Sequence, residues 1–109
     1  LQDSLVIGVD LGGTSVRAAL VRADGSVLRR VERPTPVADE ESVVAAIHAV
    51  IDEVRSPGTV AIGVAVPSRI DRRRGRAVRS VNIPLDDVDL RDLLTRRHGL
   101  PAEIENDAT

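Results

Sequence analysis

Val6-Ile7-Gly8-Val9-Asp10-Leu11-Gly12-Gly13-Thr14-Ser15-Val16-Arg17 decides how the rest of the chain is read. An apolar run ends in an aspartate, two adjacent glycines and a threonine follow, and a second apolar run begins. The pattern predicts a strand, a tight glycine turn and a second strand. Gly12 and Gly13 let the backbone turn sharply and approach a ligand closely. Successive N–H groups in such a turn form a nest for an anion, and Thr14 adds a hydroxyl. Asp10 stands at the strand end, where a carboxylate can hold Mg²⁺ directly or through water, because Mg²⁺ keeps most of its waters and uses few carboxylates. An ordinary Gly-Gly β-turn after a buried strand has the same signature, so these residues alone leave both readings open. The stretch is not a Walker P-loop, since no Gly-Lys-Ser/Thr follows. Nor is it a dinucleotide fingerprint, which requires a helix directly after the turn.

The neighbouring segments extend the pattern. Leu5 to Val9 is a continuous apolar run, as expected of a strand buried on both faces. Val16 to Arg22 resumes the β pattern, and Asp24-Gly25 signals a two-residue hairpin. Val27 to Arg33 is the returning strand, charged enough for an edge. Pro34 and Pro36 end this three-stranded meander. Asp39 is the expected N-cap of a helix with Glu40 and Glu41 in its first turn. Val43, Val44, Ile47, Val50, Ile51 and Val54 form its apolar stripe, and Pro57-Gly58 stops it. His48 lies off the stripe and reads as solvated.

Thr59 to Val66 is a second uninterrupted apolar run, placed beside the meander by the helical crossover. Pro67-Ser68 ends it. Asp71 to Gly75 is a charged turn, and Arg76 to Ile83 alternates weakly as a strand. Arginines 69, 72, 73, 74, 76 and 79 cluster here, either as a solvated hairpin tip or as a contact for a phosphate or an acidic partner. Asp86 to Asp89 precede Leu90, Leu93 and Leu94 in a short helix, with Gly99 as C-cap. His98 in its last turn complements the helix dipole. Ala102 to Glu105 is a final strand ending in Asn106-Asp107. The order is β-β-β-α-β-hairpin-α-β, an α/β mixed sheet with packed helices.

Composition narrows the function classes. The 109 residues make one domain and contain no aromatic residue, Cys or Met. The core is therefore aliphatic, and no aromatic platform exists for stacking bases, which argues against single-strand nucleic-acid binding. Without Cys there is no disulfide frame or thiolate zinc site. All 15 basic residues are Arg, as GC-rich coding would produce. A net charge of −2 gives no global field for nucleic acid or an anionic membrane. No apolar run approaches the ~20 residues of a membrane span, and Leu1 to Ser4 lacks a signal peptide's basic region. The start at Leu1 and the stop just after a polar cluster suggest a segment of a longer protein.

Asn106-Asp107 is the second candidate site. A strand-end aspartate can take a proton from a substrate hydroxyl while the neighbouring amide orients another hydroxyl. Alone the pair reads as a turn. Together with a phosphate turn it supplies what phosphoryl transfer needs, one group for metal and phosphate and another for the nucleophile.

Val9-Asp10-Leu11-Gly12-Gly13-Thr14 followed by Arg17 resembles the first phosphate motif of the actin/hexokinase-like ATPase superfamily. Ile62-Gly63-Val64-Ala65-Val66-Pro67 resembles the strand leading to the sugar site in ROK-family sugar kinases. Ile70-Asp71 through Gly75 is similar to that family's following turn, and Asn82-Ile83-Pro84 to its asparagine loop. Asp89 to Leu94, Gly99-Leu100-Pro101 and Glu105-Asn106-Asp107-Ala108 resemble its helix and catalytic strand. The resemblance covers nearly the whole chain in order.

The resemblance implies a ribonuclease-H-like (actin-like ATPase) fold, with residues 1–109 as the N-terminal domain of a two-domain, glucokinase-like kinase. Asp107 would be the general base. Asn106, Asn82 and Ser68 would serve the sugar. Gly12, Gly13, Thr14 and Arg17 would hold ATP phosphates, and Asp10 would organise Mg²⁺. The adenosine site, the second phosphate motif and a structural zinc site would lie in a C-terminal half outside these residues, so this segment alone should not turn over substrate. The implied partners are a sugar, a nucleotide and a second copy in a homodimer, and the implied compartment is the cytoplasm. Two departures, Ser68-Arg69 after Pro67 where the family usually has Gly and Leu85-Asp86 after Pro84 where it usually has Gly-Trp, leave the sugar's identity open. The alternatives are a ROK-type transcriptional regulator, which carries a winged helix-turn-helix ahead of this domain, and a non-catalytic sugar-binding domain.

Overall fold

A computed structural model of the chain describes residues 4–71, 76–80 and 89–106. Strands β1 (Leu5–Leu11), β2 (Ser15–Arg22) and β3 (Val27–Pro34) form the opening meander. Helix α1 (Glu40–Val54) leads to β4 (Thr59–Val66), which is followed by β5 (Ser68–Asp71) and β6 (Arg76–Ser80). Helix α2 (Leu90–His98) and strand β7 (Ala102–Asn106) complete the order. The main sheet runs β3-β2-β1-β4-β7, and β5 and β6 pair separately. β1 is antiparallel to β2 and parallel to β4, which is in turn parallel to β7. The α/β mixed sheet read from the sequence is the observed fold.

One face of this sheet carries the core. Leu5, Ile7, Val9 and Leu11 of β1 are buried in a single cluster with Val43, Ile47, Val50, Ile51 and Val54 of α1, Leu90 and Leu94 of α2, and Ile104 of β7. Each such aliphatic side chain contributes about 1.5–3 kcal/mol of burial free energy. The alternate residues of β1 tell against a strand buried on both faces: Val6 is 40% exposed, and Gly8 and Asp10 are exposed. The apolar run is continuous, but its even positions are Val, Gly and Asp, and both helices pack on the odd-numbered side. No described helix is long and apolar enough to cross a membrane.

Local chemistry sets the element ends. Asp39 caps α1 by accepting from the Ser42 N–H at 2.7 Å, and hydrogen bonds from Ser42 hold its carboxyl below the usual range. Gly99 ends α2 at φ 67°, with its N–H on the Thr95 carbonyl at 2.8 Å. The β2–β3 connection is longer than the two-residue hairpin expected. Arg22 N–H donates to Ser26 O at 2.9 Å, and Asp24 accepts from both the N–H and the hydroxyl of Ser26. This side-chain turn stabilises a four-residue loop, and the register shifts at Leu20/Val21.

Both histidines depart from the sequence reading. The end of α2 lies on α1, so His48 is half-buried and His98 is buried. His48 Nδ1 and His98 Nε2 are 3.0 Å apart. One of these nitrogens must act as acceptor, so the bond does not survive double protonation. Asp52 Oδ1 lies 3.6 Å from His98 Nδ1, and Asp52 Oδ2 accepts from Arg97 at 3.0 Å. It is Arg55, not a charged His98, that supplies a donor to the end of α2, at 2.8 Å from the His98 carbonyl. Burial pushes both imidazoles below their ordinary pKa. The Arg97 charge adds to this for His48 and the neighbouring ring for His98, against the opposing pull of Asp52.

With folded pKa values below the unfolded 6.5, the unfolded chain binds more protons. The stability from this pair is therefore fully present above the unfolded value and is lost as pH falls through the lowered folded values. The urea midpoint should drop between about pH 7.5 and pH 5.5, and the drop should be smaller in His48→Ala. Equal drops in the two proteins would contradict this coupling.

Candidate functional site

Parallel pairing brings the candidate segments to one edge of the sheet. β1, β4 and β7 run in the same direction, so their C-terminal ends emerge together, next to the turn into β2. In register, Asp10 is level with Ala65, and Val66 with Asn106. β1 and β7 are two strand spacings apart, which places their ends roughly 10 Å from one another. Open α/β sheets bind ligands outside the carboxyl ends of such strands.

The turn itself is compact. Gly12 N–H donates to Ser15 O at 2.9 Å. Neither Gly12 nor Gly13 takes the left-handed φ seen at Gly25, Gly58 and Gly99. What these two glycines supply is space. A Cβ on Gly12 would sit 3.1 Å from the Ser15 carbonyl oxygen, whereas a Cβ on Gly13 would meet nothing within 4 Å. This chain's packing therefore does not require glycine at 13. Gly13 and Thr14 are both exposed.

Thr35, just beyond β3, braces the turn and is absent from the sequence reading. It is a buried polar residue, only 9% exposed. Its hydroxyl donates to Gly12 O at 2.8 Å and its N–H to Thr14 O at 3.0 Å. The available signal was a hydroxyl residue held between Pro34 and Pro36, but the contact spans 23 residues and local pattern does not reveal it.

Asp10 and Arg17 are direct cross-strand partners below the turn. Both side chains are on the open face, and Arg17 Nε lies 3.5 Å from Glu32 Oε2 of β3. They line a groove of about 950 Å³ whose floor includes Gly8, Ala19, Gly63 and Ala65. Glu103 and Glu105 form its far side. Among the described residues no group of three or more His, Cys, Asp or Glu could hold a metal. A single strand-end carboxylate at Asp10 fits Mg²⁺ that arrives with phosphates, not a metal caged by protein.

The other sequence candidates divide. Ser68 opens β5 immediately after β4, and Asn106 is the last residue of β7, so the backbone places both near the same edge. Asn82 and Asp107 lie outside the described residues, as do arginines 72–74 of the basic cluster. Arg69, Arg76 and Arg79 are on β5 and β6.

Comparison with known proteins gives the chain's family. The model of the ROK family matches residues 6–109. A glucokinase of Thermotoga maritima is 42% identical over 107 residues, covering 94% of this chain and 33% of its own length. The crystal structure of a ROK family glucokinase from Streptomyces griseus in complex with glucose and AMPPNP superposes with a TM-score of 0.86 at 33% identity, over 96% of this chain and 34% of that one. A xylose repressor of Bacillus subtilis is 28% identical over 94% of this chain and 28% of its own length. The chain thus spans about a third of the length of the kinases it matches.

The two glycines should behave differently as alanines. Gly12→Ala must displace the Ser15 carbonyl that accepts its own N–H, and should cost about 1 kcal/mol in urea unfolding. Gly13→Ala should remain within about 0.5 kcal/mol of the parent chain. Equal losses would show that folding alone demands both glycines.

Proposed function

Because the chain belongs to the ROK family, we propose that it is the N-terminal domain of an ATP-dependent sugar kinase. The reaction transfers the γ-phosphoryl group to a hexose hydroxyl. The observation that carries this reading is the placement of the Gly12–Thr14 turn and the end of β7 on one sheet edge, roughly 10 Å apart. That separation leaves room for a phosphoryl group and an attacking hydroxyl between them.

In this reading each residue has a defined task. The Gly13 and Thr14 N–H groups and the Thr14 hydroxyl bind phosphate oxygens, with Gly12 keeping the backbone close. Arg17 contributes positive charge beside them. Asp10 would hold Mg²⁺, which when bound neutralises charge developing on the phosphates. Asn106, Asn82 and Ser68 orient sugar hydroxyls. Asp107, the residue after β7, takes the proton from the attacking hydroxyl as its oxygen bonds to the γ-phosphorus and the bond to the bridging oxygen breaks, releasing ADP. The second phosphate clamp and the adenosine site belong to a further domain, and the working unit is a cytoplasmic homodimer.

The similarity to a xylose repressor favours a second reading, in which the same domain senses a sugar within a transcriptional regulator. A winged helix-turn-helix encoded just upstream of this segment would identify that case. In the full-length protein with a hexose panel and ATP, the kinase reading predicts turnover. Asp107→Asn should lower kcat at least about 100-fold with sugar binding largely kept. Unchanged turnover in the variant would remove Asp107 as the base, and no turnover of any sugar by the folded parent would remove the kinase.

A further inference from the structure

A turn that presents N–H groups to an anion must keep its carbonyl oxygens turned away. The peptide between two glycines is the least able to do this by itself, because neither residue has a Cβ to restrict rotation of the plane. The peptide unit is planar and trans, so the Gly12 carbonyl and the Gly13 N–H point in opposite directions. Whatever fixes the one aims the other. A flip of this plane would replace an N–H donor by a repelling oxygen at the place a phosphate would occupy.

We propose that Thr35 is the positioning residue that locks the Gly12–Gly13 peptide with its N–H facing a bound phosphate. The Thr35 hydroxyl holds Gly12 O at 2.8 Å, and its N–H holds Thr14 O at 3.0 Å. Two of the turn's carbonyl oxygens are thereby kept on the Thr35 side. Across the trans peptide, the Gly13 N–H is directed away from it. The brace is itself rigid. Thr35 is buried, and Pro36 restricts the residue before it to extended backbone. β3 ends at Pro34, whose register partner is Ser15 at the foot of the turn. β3, paired with β2, thus delivers the residue that sets the turn's polarity.

The inference rests on the phosphate reading of the turn, and one titration separates the two. The ¹⁵N-labelled full-length protein is titrated with Mg·ATP while the Gly13 and Thr14 amide signals are followed, for the parent, Thr35→Ser and Thr35→Val. Thr35→Val keeps the shape and the backbone N–H and deletes only the hydroxyl. Its Kd should rise about fivefold, the effect of one hydrogen bond, while Thr35→Ser stays within about twofold of the parent. A residue that only stabilised the fold would lower the unfolding midpoint and leave the Kd of the folded protein unchanged. Should Thr35→Val give no dispersed spectrum, Thr35→Ala is measured against Thr35→Ser in its place. Binding by the parent with an equal Kd in the variant lacking the hydroxyl overturns the role of Thr35 alone. No shift of Gly13 or Thr14 in the parent overturns the phosphate reading and the inference with it.

Discussion

Burial of Leu5, Ile7, Val9 and Leu11 on one face of β1 is the constraint on which the rest of the structure depends. β1 is the central strand, hydrogen-bonded to β2 on one side and β4 on the other. Side chains alternate along a strand, so committing the odd positions to the core commits Val6, Gly8 and Asp10 to the other face. A slip of one residue would bury Asp10 and expose four aliphatic side chains. Core packing thus fixes the position of the carboxylate without contacting it.

The same constraint orients the turn. Parallel pairing of β1, β4 and β7 aligns their carboxyl ends, so the glycine turn, the start of β5 and the end of β7 converge on one edge. The covered face supplies stability through α1 and α2, joined at their ends by His48, Asp52, Arg55, Arg97 and His98. The open face and the adjoining edge keep small, polar and charged side chains, including Asp10, Arg17, Glu103 and Glu105. Stability and candidate chemistry thereby occupy opposite sides of a single sheet.

Much of this was legible in the sequence because it is local. The Asp39 cap, the 3.6-residue stripe of α1, Gly99 as C-cap and the charged edge strand β3 each follow from neighbouring residues. What was not legible is non-local or depends on what covers a surface. A continuous apolar run at Leu5 to Val9 does not reveal that both helices choose the same side. The Asp24-Gly25 signal does not show that the Asp24 side chain will accept from Ser26 and lengthen the loop. His48 and His98 are 50 residues apart, and only packing brings their rings together. Thr35 reaches Gly12 in the same manner. Of the candidate site, Asp10 and Gly12 to Thr14 were readable from chemistry and spacing. Asn82 takes its proposed role from the family resemblance, and Asp107 from that resemblance together with the Asn106-Asp107 pattern; both lie outside the described residues.

The central claim is that the Gly12–Thr14 turn is a phosphate site at the carboxyl edge of the sheet. It is tested most directly by a crystal structure of the full-length protein with Mg²⁺ and AMPPNP. The account predicts a phosphate oxygen about 3 Å from the Gly13 N–H nitrogen, with the Mg²⁺ on the Asp10 side. Phosphates seated elsewhere, with the turn bare in the presence of bound nucleotide, would contradict it.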